Sequence, residues 1–198
     1  MRTIVTTAIL WSLGVTAVLL PSANAQPPLP RKAPDITIVE PSGNKIPLAS
    51  YKGKVVVLAL VYTTCVHCQK ECEMLTALYS EMKPKGVQMA AIAFNDNAAV
   101  LVPNFVREHG VMFPVGSAPP QTVLDFLGFS IMDRYSVPQV AVIDKKGMIR
   151  AQSPIGGDPN LQDPTFLRNL INNLLAEGAT TSGKPAAGGK AVAKGSSN

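Results

Sequence analysis

Cys65, Val66, His67 and Cys68 form the one stretch of the 198-residue chain where residue types and spacing together specify a reaction. Two thiols separated by two residues, where a strand pattern gives way to a helical one, describe a redox dithiol. Before them, Lys54 to Tyr62 is a β-branched and aliphatic run of the kind a strand buried on both faces requires. From Cys68 the apolar positions recur at Cys72, Leu75, Tyr79 and Met82, the 3.6-residue spacing of an amphipathic helix, and Pro84 with Gly86 closes it. Cys65 is therefore expected to open a helix, where unpaired N–H groups and the positive dipole end favour thiolate over thiol. Cys68 follows on the same side of the first turn, close enough to close a disulfide. As a permanent staple this pair would restrain little of the unfolded chain, so it reads as reactive rather than structural.

Cys72 and His67 bring a third thiol and an imidazole into the same stretch, and together they could be written as a metal site. Cys72, however, lies on the buried stripe with Leu75 and Tyr79. Seven residues of helix rise roughly 10 Å, so Cys65 and Cys72 cannot bridge within one chain. Cys72 is read as a buried, inert thiol, and neither a metal nor a cofactor is expected. Haem attachment is excluded because Gln69, not His, follows Cys68.

The surrounding chain has to position this dithiol. Met1 and Arg2, the apolar run Ile4 to Leu20 and then Ala23-Asn24-Ala25 have the three parts of a signal peptide, so residues 1–25 are expected to be removed, with an uncleaved membrane anchor as the alternative. Export would place the thiols where disulfides persist and exchange. Residues 178–198, rich in Gly, Ala, Ser and Lys without apolar periodicity, are expected to be a disordered tail. Between them, residues 26–177 are expected to form one domain. Four of the five net positive charges lie at the ends: without Arg2, Lys184, Lys190 and Lys194 the domain holds 14 basic against 13 acidic residues. Nothing basic remains to recruit nucleic acid.

Gln26 to Pro34 reads as an extended lead-in. Ile36, Ile38 and Ile46, Leu48 flank the turn Pro41-Ser42-Gly43-Asn44, which predicts a hairpin. Val87 to Phe94 is the next strand, and Asn95-Asp96-Asn97 are expected to cap a helix through Val102 and Phe105 to His109, kinked at Pro103. A short extended piece over Val111 to Val115 and a helix over Pro120 to Leu127 follow. Strands at Gln139 to Ile143 and Met148 to Ser153 enclose the turn Asp144-Lys145-Lys146-Gly147. Asp163 caps a last helix that starts with Pro164. This order implies an α/β domain: a central mixed sheet flanked by helices, with an N-terminal β-hairpin.

Four stretches carry a resemblance to a known family: Ala33-Pro34-Asp35; Leu48 to Tyr62; Cys65-Val66-His67-Cys68 with Glu71 beyond; and Tyr135-Ser136-Val137-Pro138 before Val142-Ile143-Asp144. Together they resemble the thioredoxin superfamily, and within it the exported TlpA-like thiol-disulfide oxidoreductases. The resemblance implies a thioredoxin-like fold over about residues 33–176. It makes Cys65 the attacking thiol, Cys68 the resolving thiol, and Pro138 a cis-proline that leaves the backbone of Val137 free to pair with a substrate strand. His67 resembles the histidine between the cysteines of oxidising members. An imidazole there would favour the thiolate, and hence a dithiol less reducing than thioredoxin. Two departures stand out. Thr64 replaces the tryptophan usual before the first cysteine, and Ala59 stands where many members carry an acid on the preceding strand. Glu71 matches a family glutamate but could equally be a solvated helix charge.

The implied activity is disulfide exchange through a mixed disulfide with Cys65. The partners are substrate proteins bearing thiols or disulfides, and a membrane or envelope redox protein that recycles the dithiol. Two other functions compete. A Sco-like copper-binding or assembly protein would space its cysteines by three residues, as only Cys68 and Cys72 are spaced. A peroxiredoxin-like peroxidase would place Thr three residues before the cysteine, where this chain has Tyr62.

Overall fold

Every residue of strand β4 (Val55–Val61) is buried, and the two-residue period of a strand divides them between two cores. Val55, Val57, Ala59 and Val61 face one; Val56, Leu58 and Leu60 face the other. The computed structural model describes residues 26–177, so the expected leader 1–25 and tail 178–198 lie outside the described residues.

The hairpin is β2 (Thr37–Val39) and β3 (Lys45–Pro47), after a two-residue strand β1 (Arg31–Lys32). Beyond β4 come α1 (Val66–Met82), β5 (Val87–Ala93), α2 (Ala98–Glu108), β6 (Val115–Ser117), α3 (Pro120–Leu127), β7 (Gln139–Ile143), β8 (Met148–Gln152) and α4 (Pro164–Glu177). The strands form one sheet in the order β1-β8-β7-β4-β5-β6-β2-β3. β4 and β5 are parallel, β5 and β6 are parallel, and β7 runs antiparallel to β4. Residues of α1, α2 and α4 fill one core, and α3 with the hairpin fills the other. This is the mixed sheet flanked by helices that the sequence implies, in a thioredoxin-like arrangement.

Local chemistry sets the boundaries. Helix α1 gives way to a 3-10 turn at Lys83–Lys85, and Gly86 at φ 86° takes the left-handed conformation that ends it. Asp163 accepts the N–H of Phe166 at 2.7 Å, so the cap of α4 is formed as expected. Gly116 is required where β6 meets β2, because a Cβ there would lie 2.6 Å from the Val39 carbonyl oxygen. The extended piece expected at Val111 to Val115 is instead strand β6, shifted to Val115–Ser117 by pairing with β5 and β2. The lead-in is more than extended chain: Arg31 and Lys32 pair with Ile149 and Met148 of β8.

Candidate active site

The loop from β4 to α1 delivers the dithiol. Cys65 is the N-cap of α1, with extended backbone (φ −91°, ψ 118°), so the helix begins one residue later than its own position. Its Sγ accepts the N–H of Cys68 at 3.4 Å, one of the otherwise unpaired donors of the first turn. Cys65 is half-buried and Cys68 fully buried, and both are free thiols. The Tyr62 N–H donates to Cys68 Sγ at 3.5 Å. Both sulfurs are thus held by backbone N–H groups, one from the strand end and one from the helix.

Burial is the dominant influence on Cys68 and pushes its thiol far above the usual range, against a smaller opposite pull from the Tyr62 N–H. Cys72 lies on the same stripe, 0% exposed, and burial pushes it up to about 12, with Glu71 and Glu73 adding to the effect. Among the described residues no three His, Cys, Asp or Glu side chains gather as a metal-binding set.

Val137 and Pro138 stand opposite. The Val137–Pro138 peptide bond is cis, and the Cys65 thiol donates to the Val137 carbonyl oxygen at 3.9 Å. Of the residues singled out from sequence, Cys65, Cys68 and the turn before Pro138 therefore come together. His67 lies on the exposed side of the first turn, with no hydrogen-bond partner among the described residues. Ala59 is 0% exposed in the core beneath.

Two residues acquire roles that the sequence reading missed. Glu71 is 4% exposed rather than solvated. Its Oε1 has no hydrogen-bond partner, and burial pushes its carboxyl up to about 8. It is one turn beyond Cys68 on the same face. Helical arithmetic could have found it, since Glu71 lies three residues after Cys68 and four before Leu75. The second is Asn95, expected to cap α2. Its Oδ1 instead accepts the N–H of Thr63 at 2.9 Å, and its Nδ2 donates to Thr63 Oγ1 at 3.1 Å. The residue before α2 is Asn97, in the left-handed region at φ 58°, and it makes no side-chain cap. Gln69 completes the clamp by donating to the Thr63 carbonyl at 3.0 Å. The loop that carries Cys65 is thus tied to the end of β5 and to its own helix.

Known proteins resemble this chain in sequence and in fold. Residues 29–152 match the AhpC/TSA family. The thiol-disulfide oxidoreductase ResA of Bacillus thuringiensis is 33% identical over 140 residues, 71% of this chain and 77% of that protein. ResA of Bacillus subtilis is 30% identical over 117 residues, 59% and 62% of the two chains. In three dimensions the chain is similar to a thiol:disulfide interchange protein of the thioredoxin family from Chlorobium tepidum. The TM-score is 0.62 at 23% identity, over 74% of this chain and 97% of that one. It is also similar to the thioredoxin domain of a thiol-disulfide oxidoreductase from Bacteroides vulgatus, with a TM-score of 0.60 at 22% identity, over 76% and 98%. These two likenesses concern the fold.

Proposed function

Because this chain belongs to the AhpC/TSA family and is a thiol-disulfide oxidoreductase of the thioredoxin superfamily, we propose that Cys65 and Cys68 are its exchanging pair. The observation that carries this is the asymmetry of the two sulfurs: Cys65 is half-exposed at a helix N-cap, while Cys68 is sealed one turn deeper. The Cys65 thiolate attacks a substrate disulfide, forming a Cys65–substrate bond and releasing the other substrate sulfur as a thiolate. Cys68, once deprotonated, attacks Cys65, closes the Cys65–Cys68 disulfide and releases the second substrate thiol. The substrate gains two electrons and the protein loses them; starting from the closed disulfide, the same steps run in reverse and oxidise a dithiol.

Burial makes Cys68 hard to ionise, so its proton needs an acceptor. Ala59 supplies none. Glu71, buried on the same helix face with Oε1 unpartnered and its carboxyl pushed up to about 8, is the group we assign to take it when ionised. The turn before Pro138 offers the Val137 backbone to an extended substrate segment, and His67 tunes the dithiol from the rim. Export through the leader 1–25 would place the exchange outside the cytoplasm, with an envelope redox protein recycling the pair. The composition of that leader supports this reading.

Two variants test the assignment. Cys68→Ser should accumulate substrate proteins as mixed disulfides through Cys65, released by reductant on a non-reducing gel. Cys65→Ser should trap none and should not turn over a model protein disulfide. Trapping through Cys72 in either variant would refute it.

A further inference from the structure

A cavity of about 460 Å³ adjoins the dithiol, and the exchange steps leave it unused. Thr64, the residue before Cys65, lines it, together with Tyr62, Phe94, Asp96 and Tyr135. Its aromatic wall is ordered. Phe94 meets Tyr62 edge-on with centroids 4.7 Å apart and lies 6.0 Å from Tyr135. The Tyr62 and Tyr135 hydroxyls are hydrogen-bonded at 2.9 Å.

The wall is also coupled to both halves of the site. The backbone N–H of Tyr62 holds Cys68 Sγ, and Tyr135 is in the turn that leads to Val137 and Pro138. The cavity is therefore spanned by the same two segments that flank the reacting sulfurs.

Its electrostatics select one kind of occupant. A cation that reaches a face of the Tyr62, Phe94 or Tyr135 ring meets the negative part of the aromatic quadrupole. Two phenol oxygens and the exposed Asp96 add to that sign. The Asp96 carboxylate has no ion-pair or hydrogen-bond partner among the described residues, and no Lys or Arg lines the cavity. Leu101 and Pro120 supply apolar surface that suits a methylene stem. A long side chain with a cationic end satisfies both parts; an acidic one is repelled, and a purely apolar one leaves Asp96 unused.

We propose that this cavity is a substrate-specificity subsite that receives an arginine or lysine side chain near the reactive cysteine of a protein substrate. The inference rests on Cys65 being the attacking thiol, since Thr64 joins the cavity to that residue. Substrates are then proteins whose exchanging cysteine has a basic residue within a few positions of it.

The test uses the reduced full chain and a set of cysteine peptides, each a mixed disulfide with the same small thiol. They differ at one position beside the cysteine: arginine, lysine, norleucine, phenylalanine or glutamate. Second-order rate constants are read by rapid quench. Arginine and lysine peptides should react about fivefold to tenfold faster than norleucine, and glutamate slowest, with the preference shrinking as salt rises. Asp96→Asn should reduce the arginine-to-norleucine ratio, and Asp96→Lys should turn the preference toward glutamate. Ratios taken within each protein cancel any change in the dithiol itself. Equal rates for arginine and norleucine, or fastest reaction with phenylalanine, would overturn the cation subsite. So would an arginine preference that survives both Asp96 variants. Failure of every peptide to react would overturn the thiol-exchange reading, and the subsite with it.

Discussion

The Cys65 sulfur lies 3.9 Å from the carbonyl oxygen of Val137, although the two residues are 72 apart in the chain. Helix α1 and the approach to β7 thus meet at one sulfur atom. If Cys65 is the exchanging thiol, as proposed, a substrate joined to it is placed beside the Val137 backbone.

Alkylation should report the asymmetry of the thiols. Iodoacetamide at neutral pH is expected to modify Cys65 first, because Cys68 and Cys72 are both 0% exposed and burial raises both thiols. Peptide mass spectrometry after partial labelling reads the order. Modification of Cys68 or Cys72 should require denaturant.

Glu71 should leave a signature in stability against pH. Its carboxyl is raised from 4.5 to about 8 by burial, so the folded state holds the proton more tightly than the unfolded one. Its contribution is complete below the unfolded value and is lost as pH rises through the folded one. The slope is up to about 1.4 kcal/mol per pH unit across that window. Glu71→Gln should flatten this part of the profile in urea titrations at a series of pH values. In single-turnover kinetics the same variant should slow release of the trapped substrate more than the first attack.

Asn95→Ala should cost about 1 to 3 kcal/mol, since it strands the N–H of Thr63, a residue only 6% exposed. Chemical denaturation measures the loss. Asn95→Asp keeps the acceptor oxygen and should recover part of it.

His67→Ala should make the dithiol more reducing. An imidazole beside the first helical turn favours the reduced pair over the disulfide, and about 30 mV corresponds to about 1.4 kcal/mol for a two-electron couple. Equilibration with glutathione buffers, read by alkylation mass shift, gives the potential of both proteins. An unchanged potential would make His67 a spacer.

What was legible in the sequence was what repeats locally. The unbroken apolar run of Val55–Val61, the stripe from Cys68 to Met82 and the Asp163-Pro164 start of α4 each carry their periodicity or cap within a few residues. The same face carries Glu71, whose residue type points to solvent although its position is buried. Asn95 departs from its expected cap for another reason. Its partner Thr63 is 32 residues away, and a cap motif in sequence says nothing about a competing backbone donor brought alongside by the sheet. The cavity beside Thr64 is further still from legibility, since it joins residues from Tyr62 to Tyr135 across several elements.

Strand β1 is only two residues long, yet it closes one end of the sheet by pairing with β8. Without β1 the outer side of β8 would be an open edge, and an unpaired strand edge is a template for pairing with another chain. Here Arg31 is fastened to the Phe126 carbonyl and to Gln152, each at 2.7 Å. Ala33 donates to the Gly147 carbonyl at 3.0 Å, and Gln26 donates to the Ser153 carbonyl at 3.2 Å. The segment behaves as a strap along the outer side of β8, so another polypeptide can add a strand there only after the strap peels away.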